Sequence, residues 1–75
     1  MILISQDGCT IVRFDNIALA VEEDGAIFQV VAYMCGDLMS CLVMGEYYSK
    51  EDAIRQLDRV IDASQFATRL QFDKA

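Results

Sequence analysis

The stretch GEYYSKEDAIRQLDRV, residues 45–60, decides the fold because the apolar spacing changes here from a strand pattern to a helix pattern. Ser49 precedes an acidic first turn, and Asp52 stands three residues later, where a capping box carries its acidic or amide residue. Apolar residues then recur at the spacing of one helix face, and charged residues occupy the opposite face. The apolar set is Ala53, Ile54, Leu57, Val60 and Ile61. The pattern predicts an amphipathic helix over residues 50–63.

Upstream of this stretch, turn signals recur at intervals of roughly eight to ten residues. They fall at Asp7-Gly8, Asp15-Asn16, residues 22–25 and residues 35–37. The apolar and β-branched runs between them predict five strands, at about residues 2–6, 9–14, 17–23, 26–34 and 38–44. Short connections favour antiparallel neighbours. We therefore expect an α+β domain: an antiparallel β-meander of about five strands, then one C-terminal amphipathic helix packed on one sheet face.

The tail, residues 64–75, permits two interpretations. Phe66, Leu70 and Phe72 alternate with small or polar residues at a period of two, which indicates a last strand. The tail also contains no glycine or proline that would stop the preceding helix. A helix that extends into the tail and then frays is the preferred prediction, with the strand kept open.

The length and apolar content predict a single domain that associates with a second copy. The chain has 75 residues, and 55% of them are hydrophobic, against a usual 45–50%. Both sets of alternate positions are apolar in the fourth and fifth predicted strands, whereas one helix covers one sheet face only. Sheet-to-sheet packing in a homodimer would bury the other face. The candidate interface residues are Val31, Tyr33, Met39, Cys41 and Val43.

The charge balance disfavours several kinds of partner. Twelve acidic residues oppose six basic ones, histidine is absent, and the net charge is −6. Nucleic-acid binding normally needs a basic patch, so direct binding to DNA or RNA is not expected, and neither is docking on an anionic membrane. No apolar run approaches the ~20 residues of a membrane span. The first residues lack the basic start of a signal peptide, so a cytoplasmic location is expected.

Few residues carry chemistry. Cys9, Cys35 and Cys41 lack the CxxC spacing of zinc or redox sites and are interpreted as small buried apolar residues. Catalysis by a Ser–His or Cys–His pair is excluded because the chain has no histidine. One of Tyr47 and Tyr48 is expected to pack and the other to face water. We predict no catalytic, cofactor-binding or metal-binding residue, no cofactor and no enzymatic activity.

Two segments, ILISQDGCTIVRFDNI and MGEYYSKEDAIRQLDRVID, resemble small uncharacterised proteins of Firmicutes bacteria and their phages. The shared pattern reads SQDG, a strand, F-D-N-I, variable strands, L-G-x-Y-x-S/T-x-E-x-A and a helix. Residues 5–17 and 45–57 match it. The resemblance implies the same fold and an origin in a phage or mobile element, and its motifs contain no catalytic residue.

Three functions follow as hypotheses. The first is a non-enzymatic, homo-oligomeric interaction module. The second is an acidic inhibitor, or a mimic of nucleic acid, that binds a basic host or phage protein. The third is a domain that binds a small ligand in an apolar pocket or senses oxidants through a thiol.

Overall fold

The computed structural model describes residues 1–15, 17–34 and 37–75, and for residues 37–40 it describes the backbone only. In this part of the chain six strands and one helix form an α+β fold, so the predicted class is confirmed. The elements are β1 (Ile2–Ile4), β2 (Ile11–Arg13), β3 (Ile17–Asp24), β4 (Ile27–Met34), β5 (Asp37–Tyr47), α1 (Lys50–Ala63) and β6 (Arg69–Gln71).

The strands form two three-stranded sheets, so the prediction of a single five-strand meander is wrong. One sheet has the order β3-β4-β5 and is antiparallel throughout. The other has the order β2-β1-β6, in which β1 pairs antiparallel with β2 and parallel with β6. The second edge of β1 pairs with β6, near the end of the chain. The β1–β2 hairpin is therefore extended into a sheet by β6 and not by β3.

The tail is a strand, so the preferred prediction of an extended helix is wrong. The helix closes at Ala63, whose carbonyl accepts bonds from the amides of Phe66 and Ala67 in a final turn. The chain then runs beside β1, with Leu70 opposite Leu3. The period-two alternation was the informative signal, since Leu70 and Phe72 are buried whereas the residues between and after them are exposed.

The helix begins and ends at the predicted residues, and the side chain of Ser49 accepts a hydrogen bond from the Asp52 amide at 3.1 Å. Its buried face differs from the predicted one. The side chains buried from the helix are Ala53, Gln56, Val60 and Ala63. Ile54 and Ile61 are 41% and 61% exposed. The helix is therefore rotated so that part of its apolar stripe faces water.

The core lies between α1 and one face of the β3–β4–β5 sheet, which we call the covered face, and it continues onto the β2–β1–β6 sheet. Its members come from all three layers. The β2–β1–β6 sheet and the residue that follows it supply Leu3, Val12, Leu70 and Phe72; the β3–β4–β5 sheet supplies Val30, Ala32, Met44 and Tyr47; and the helix supplies Ala53, Val60 and Ala63. We call the opposite face of the β3–β4–β5 sheet the open face, because α1 packs against the covered face in the described part of the chain.

A β-bulge in β5 shapes the covered face. Val31 pairs with Val43 and Val30 pairs with Gly45, so Met44 is an extra residue between them, and it is buried. Gly45 was predicted to end the strand, but β5 continues to Tyr47. A Cβ atom at Gly45 would lie 2.8 Å from the Tyr47 ring, so this position requires glycine for close packing.

Candidate interaction surface

The candidate interface residues whose side chains are described all lie on the open face. The register aligns Ala20, Val31 and Val43 in one row across the sheet, and Ala18, Tyr33 and Cys41 in the next. Side chains at alternate positions of a strand share a face, so these two rows form one continuous patch. Met39 falls among residues 35–40, whose side chains lie outside the described part of the structure.

The four residues differ in exposure. Cys41 is exposed and Val43 is 45% exposed, whereas Val31 is only 2% exposed although it does not belong to the core cluster. The Tyr33 hydroxyl donates a hydrogen bond to the Glu22 carboxylate, although the register sets Tyr33 opposite Ala18. The tyrosine side chain therefore extends along the sheet across the row of Ala20 and Val31.

The open face is apolar at one end and polar at the other. Gln29 lies between Glu22 and Glu46 in the register, and its Nε2 atom donates a hydrogen bond to the Glu46 carboxylate at 3.3 Å. The two glutamates flank this end of the sheet, and both are exposed. The patch formed by the two apolar rows thus has an acidic rim on the side of Glu22 and Glu46.

A second polar arrangement anchors the end of the chain, and we call it the C-terminal anchor. Its residues are Gln6, Tyr47, Gln56, Arg59 and Asp73. The Asp73 carbonyl accepts bonds from the Tyr47 hydroxyl at 2.7 Å and from Gln6 Nε2 at 3.1 Å. The Asp73 amide donates to Gln56 Oε1 at 3.0 Å, and the Asp73 carboxylate lies 3.0 Å from the Arg59 guanidinium. The arrangement satisfies buried polar atoms and holds the tail in place.

The pKa of Tyr47 is raised to about 12, mainly by burial and to a smaller extent by the negative charge of the nearby Asp73 carboxylate. The positive charge of Arg59 opposes this shift. A phenol that keeps its proton serves as a hydrogen-bond donor at neutral pH. Sequence reasoning missed this anchor, apart from the expectation that one tyrosine packs; Tyr47 is buried and Tyr48 is 78% exposed. The available signal was Gln56, a polar residue on the face that the helix buries.

Two of the three cysteines are not buried as predicted. Cys9 and Cys41 are both exposed, and Cys35 lies outside the described residues. Cys9 belongs to the β1–β2 turn, where the Asp7 carboxylate accepts bonds from the Ser5 hydroxyl at 2.5 Å and the Cys9 amide at 2.9 Å. Both hydrogen bonds lower the pKa of Asp7, and the bond from Ser5 has the larger effect. The network fixes the turn, and the exposed Cys9 thiol donates a further, long hydrogen bond of 3.7 Å to the Asp7 main-chain carbonyl.

Two shallow clefts are present on the described surface, and both fall below the usual 300–1,000 Å³ of small-molecule sites. The first, of about 220 Å³, lies between the β1–β2 turn and the bulge of β5. The second, of about 270 Å³, we call the helix–edge groove; it is lined by Phe14, Ile17, Leu19, Leu57, Val60 and Ile61. All six lining residues are apolar.

Within residues 1–15, 17–34 and 37–75, no three acidic or cysteine side chains gather closely enough to hold a metal ion. Across the same ranges, no helix is both long enough and apolar enough to cross a membrane.

The chain matches no protein-family model, no curated protein and no solved structure in the comparisons made. The likeness to the Firmicutes and phage proteins therefore stays a prediction, and the function must be argued from the surface itself.

Proposed function

We propose that the protein is a non-enzymatic interaction module that forms a homodimer through the open face of the β3–β4–β5 sheet. The observation that carries this proposal is the patch of Ala18, Ala20, Tyr33, Cys41 and Val43, which α1 leaves uncovered. A chain of 75 residues buries only about 60% of its unfolded surface, so association is an effective way to remove further apolar surface from water.

The shape of the patch supports a second copy as the occupant. Two sheets that pack face to face lie about 10 Å apart, and small side chains permit that approach. Ala18 and Ala20 supply small side chains on β3, while Tyr33 on β4 and Val43 on β5 supply larger ones. Like charges repel, so the acidic rim of Glu22 and Glu46 favours a pairing in which the rims of the two copies lie apart.

Two exposed thiols provide the test. Cys41 lies on the open face, whereas Cys9 lies in the β1–β2 turn and serves as an internal control. We expect the rate of alkylation at Cys41, followed by peptide mass spectrometry, to fall as protein concentration rises, and the rate at Cys9 to stay constant. Val43→Lys should remove the protection of Cys41. Equal concentration dependence at the two thiols would refute the proposed interface.

A second candidate function, binding to a basic protein, is supported by the charge of the chain. The net charge is −6, and the exposed acids include the run Glu22, Glu23 and Asp24. Such binding would weaken steeply with ionic strength. Loss of a retained host or phage protein between low and physiological salt tests this candidate.

A cytoplasmic location and an origin in a phage or mobile element belong to the same proposal. Both rest on the sequence pattern alone.

A further inference from the structure

The outer edge of β3 is suited to pair with another strand. All eight residues of β3 pair with β4 in one uninterrupted register. Among the described residues, no backbone hydrogen bond joins the opposite edge of β3 to any other segment. Natural sheets usually protect such edges with bulges, prolines or charged side chains. β3 contains no bulge, proline or lysine, and its charged residues are confined to one end, at residues 22–24. The other edge strand, β5, carries two register shifts.

The helix–edge groove runs along this edge on the covered side of the sheet. Ile17 and Leu19 of β3 form its floor, and Leu57 and Ile61 of α1 form its wall. Because the helix buries a different face from the one its sequence pattern predicts, Ile61 is 61% exposed here. A strand added to β3 would place every second side chain against this apolar wall.

The far end of the same edge is acidic. Glu22, Glu23 and Asp24 are exposed, and the ion pairs among the described residues use other carboxylates, those of Asp52 and Asp73. Glu23 shares the covered side with Ile17 and Leu19, since these positions alternate along the strand. On the covered side, the edge therefore carries three apolar residues, Ile17, Leu19 and Val21, followed by the acidic Glu23.

We propose that β3 binds an extended segment of a different protein by strand addition. In this mode the backbone supplies affinity and alternate side chains supply specificity. The segment carries apolar side chains opposite Ile17, Leu19 and Val21, and a lysine or arginine opposite Glu23. This surface is separate from the open face, so the inference stands independently of the proposed homodimer.

Charge argues against a second copy as the occupant of this edge. Antiparallel pairing of two β3 strands over their full length would set Ile17 opposite Asp24 and Leu19 opposite Glu22. A shifted register that pairs only the apolar halves would bring Glu22 towards Asp15 of the other copy. The full-length arrangement offers no basic residue to the acidic end. The shifted arrangement sets Glu22 near Asp15 of the other copy, and carboxylates near each other across strands are destabilising.

A defined peptide tests the proposal. The probe has eight residues, acetylated and amidated, with valine or leucine at three alternate positions, lysine at the fourth and threonine between them. It is made in both chain directions, because strand addition occurs in either. We expect at least one direction to bind weakly, with a Kd in the micromolar to millimolar range of small interfaces. Amide NMR shifts should concentrate at residues 17–24.

Matched controls separate strand addition from non-specific adhesion. Two further peptides are N-methylated at alternate amides, one at the odd positions and one at the even positions. One of the two should bind at least about tenfold more weakly than the parent, because its methyl groups remove the hydrogen bonds to the edge of β3. Glu23→Lys should weaken binding of the parent peptide about five- to tenfold, since an attraction becomes a repulsion. Ile61→Lys should weaken it similarly, whereas Ile11→Lys, on an exposed residue of β2, should not.

Several results would overturn the proposal. The proposal fails if neither chain direction of the peptide binds at millimolar concentration. It also fails if both N-methylated peptides bind as tightly as the parent peptide. Shifts centred on the open face would assign the peptide to the other surface. In Val43→Lys, the variant designed to dissociate the open-face dimer, residue 17–24 amides that still shift with protein concentration in the absence of peptide would show a second copy on this edge.

Discussion

The hydroxyl of Tyr47 donates a hydrogen bond of 2.7 Å to the main-chain carbonyl of Asp73, across a separation of 26 residues. Tyr47 ends β5, and Asp73 follows β6, so this bond joins the two sheets. It also fixes the ring that covers Gly45. The corner between the last meander strand and the helix is therefore a structural joint, and the C-terminal anchor completes it.

Removal of the Tyr47 hydroxyl should destabilise the protein. Tyr47→Phe leaves the Asp73 carbonyl with one bond fewer, at an expected cost of about 1 kcal/mol in the free energy of unfolding. Tyr48→Phe is the matched control, because Tyr48 is 78% exposed and should change stability by less than about 0.5 kcal/mol. Urea unfolding measures both; equal values for the two variants would remove the anchor role of Tyr47.

Stability should fall in alkali because of Tyr47. Its folded pKa of about 12 lies above the ordinary tyrosine pKa of 10.0, so the unfolded chain releases this proton first as pH rises. The contribution is fully present below pH 10.0 and is lost progressively up to about pH 12. Tyr47→Phe should flatten the decline of stability with pH across this window. An unchanged slope, with tyrosinate absorbance as the second readout, would contradict the assignment.

Gly45 should tolerate no side chain while Tyr47 is present. Gly45→Ala places a Cβ atom 2.8 Å from the ring and should cost roughly 1–3 kcal/mol of unfolding free energy. In a Tyr47→Ala background the same change should cost much less, so a double-mutant cycle should show a coupling above about 0.5 kcal/mol. Additive costs would mean that the ring does not restrict this position.

The tail should contribute strongly to stability. Phe72 is 2% exposed within the core, and Phe72→Ala should lower the free energy of unfolding by about 3–5 kcal/mol. Phe66→Ala offers a matched control in the same segment, since Phe66 is 82% exposed. Thermal and urea unfolding compare the two. A small effect at Phe72 would show that β6 is not part of the folded core.

Local features of the fold could be predicted from the sequence. The helix over residues 50–63 follows from its cap at Ser49 and its periodicity, which depend only on neighbouring residues. Strand alternation also groups Val31 with Tyr33 on one face of β4, and Cys41 with Val43 on one face of β5. These features need no knowledge of distant contacts.

The two-sheet arrangement could not be predicted in the same way. The parallel pair of β1 and β6 joins Ile2 to Arg69, and nothing local in either segment specifies that partner. The helix rotation has the same origin, because Gln56 turns inward to bond Asp73 near the end of the chain. Sequence periodicity alone favours Ile54 and Ile61 for burial, and the tail overrides it.

The molar mass in solution tests the central claim, association through the open face, most directly. Size-exclusion chromatography with light scattering, across a concentration series, should give twice the 8.4 kDa of one chain for the wild-type protein. Val43→Lys should return the mass to that of one chain, and Ile11→Lys, an equally apolar-to-charged change outside the open face, should leave the dimer intact. A wild-type protein that stays at 8.4 kDa throughout the series, or a dimer that Val43→Lys does not dissociate, would contradict the claim.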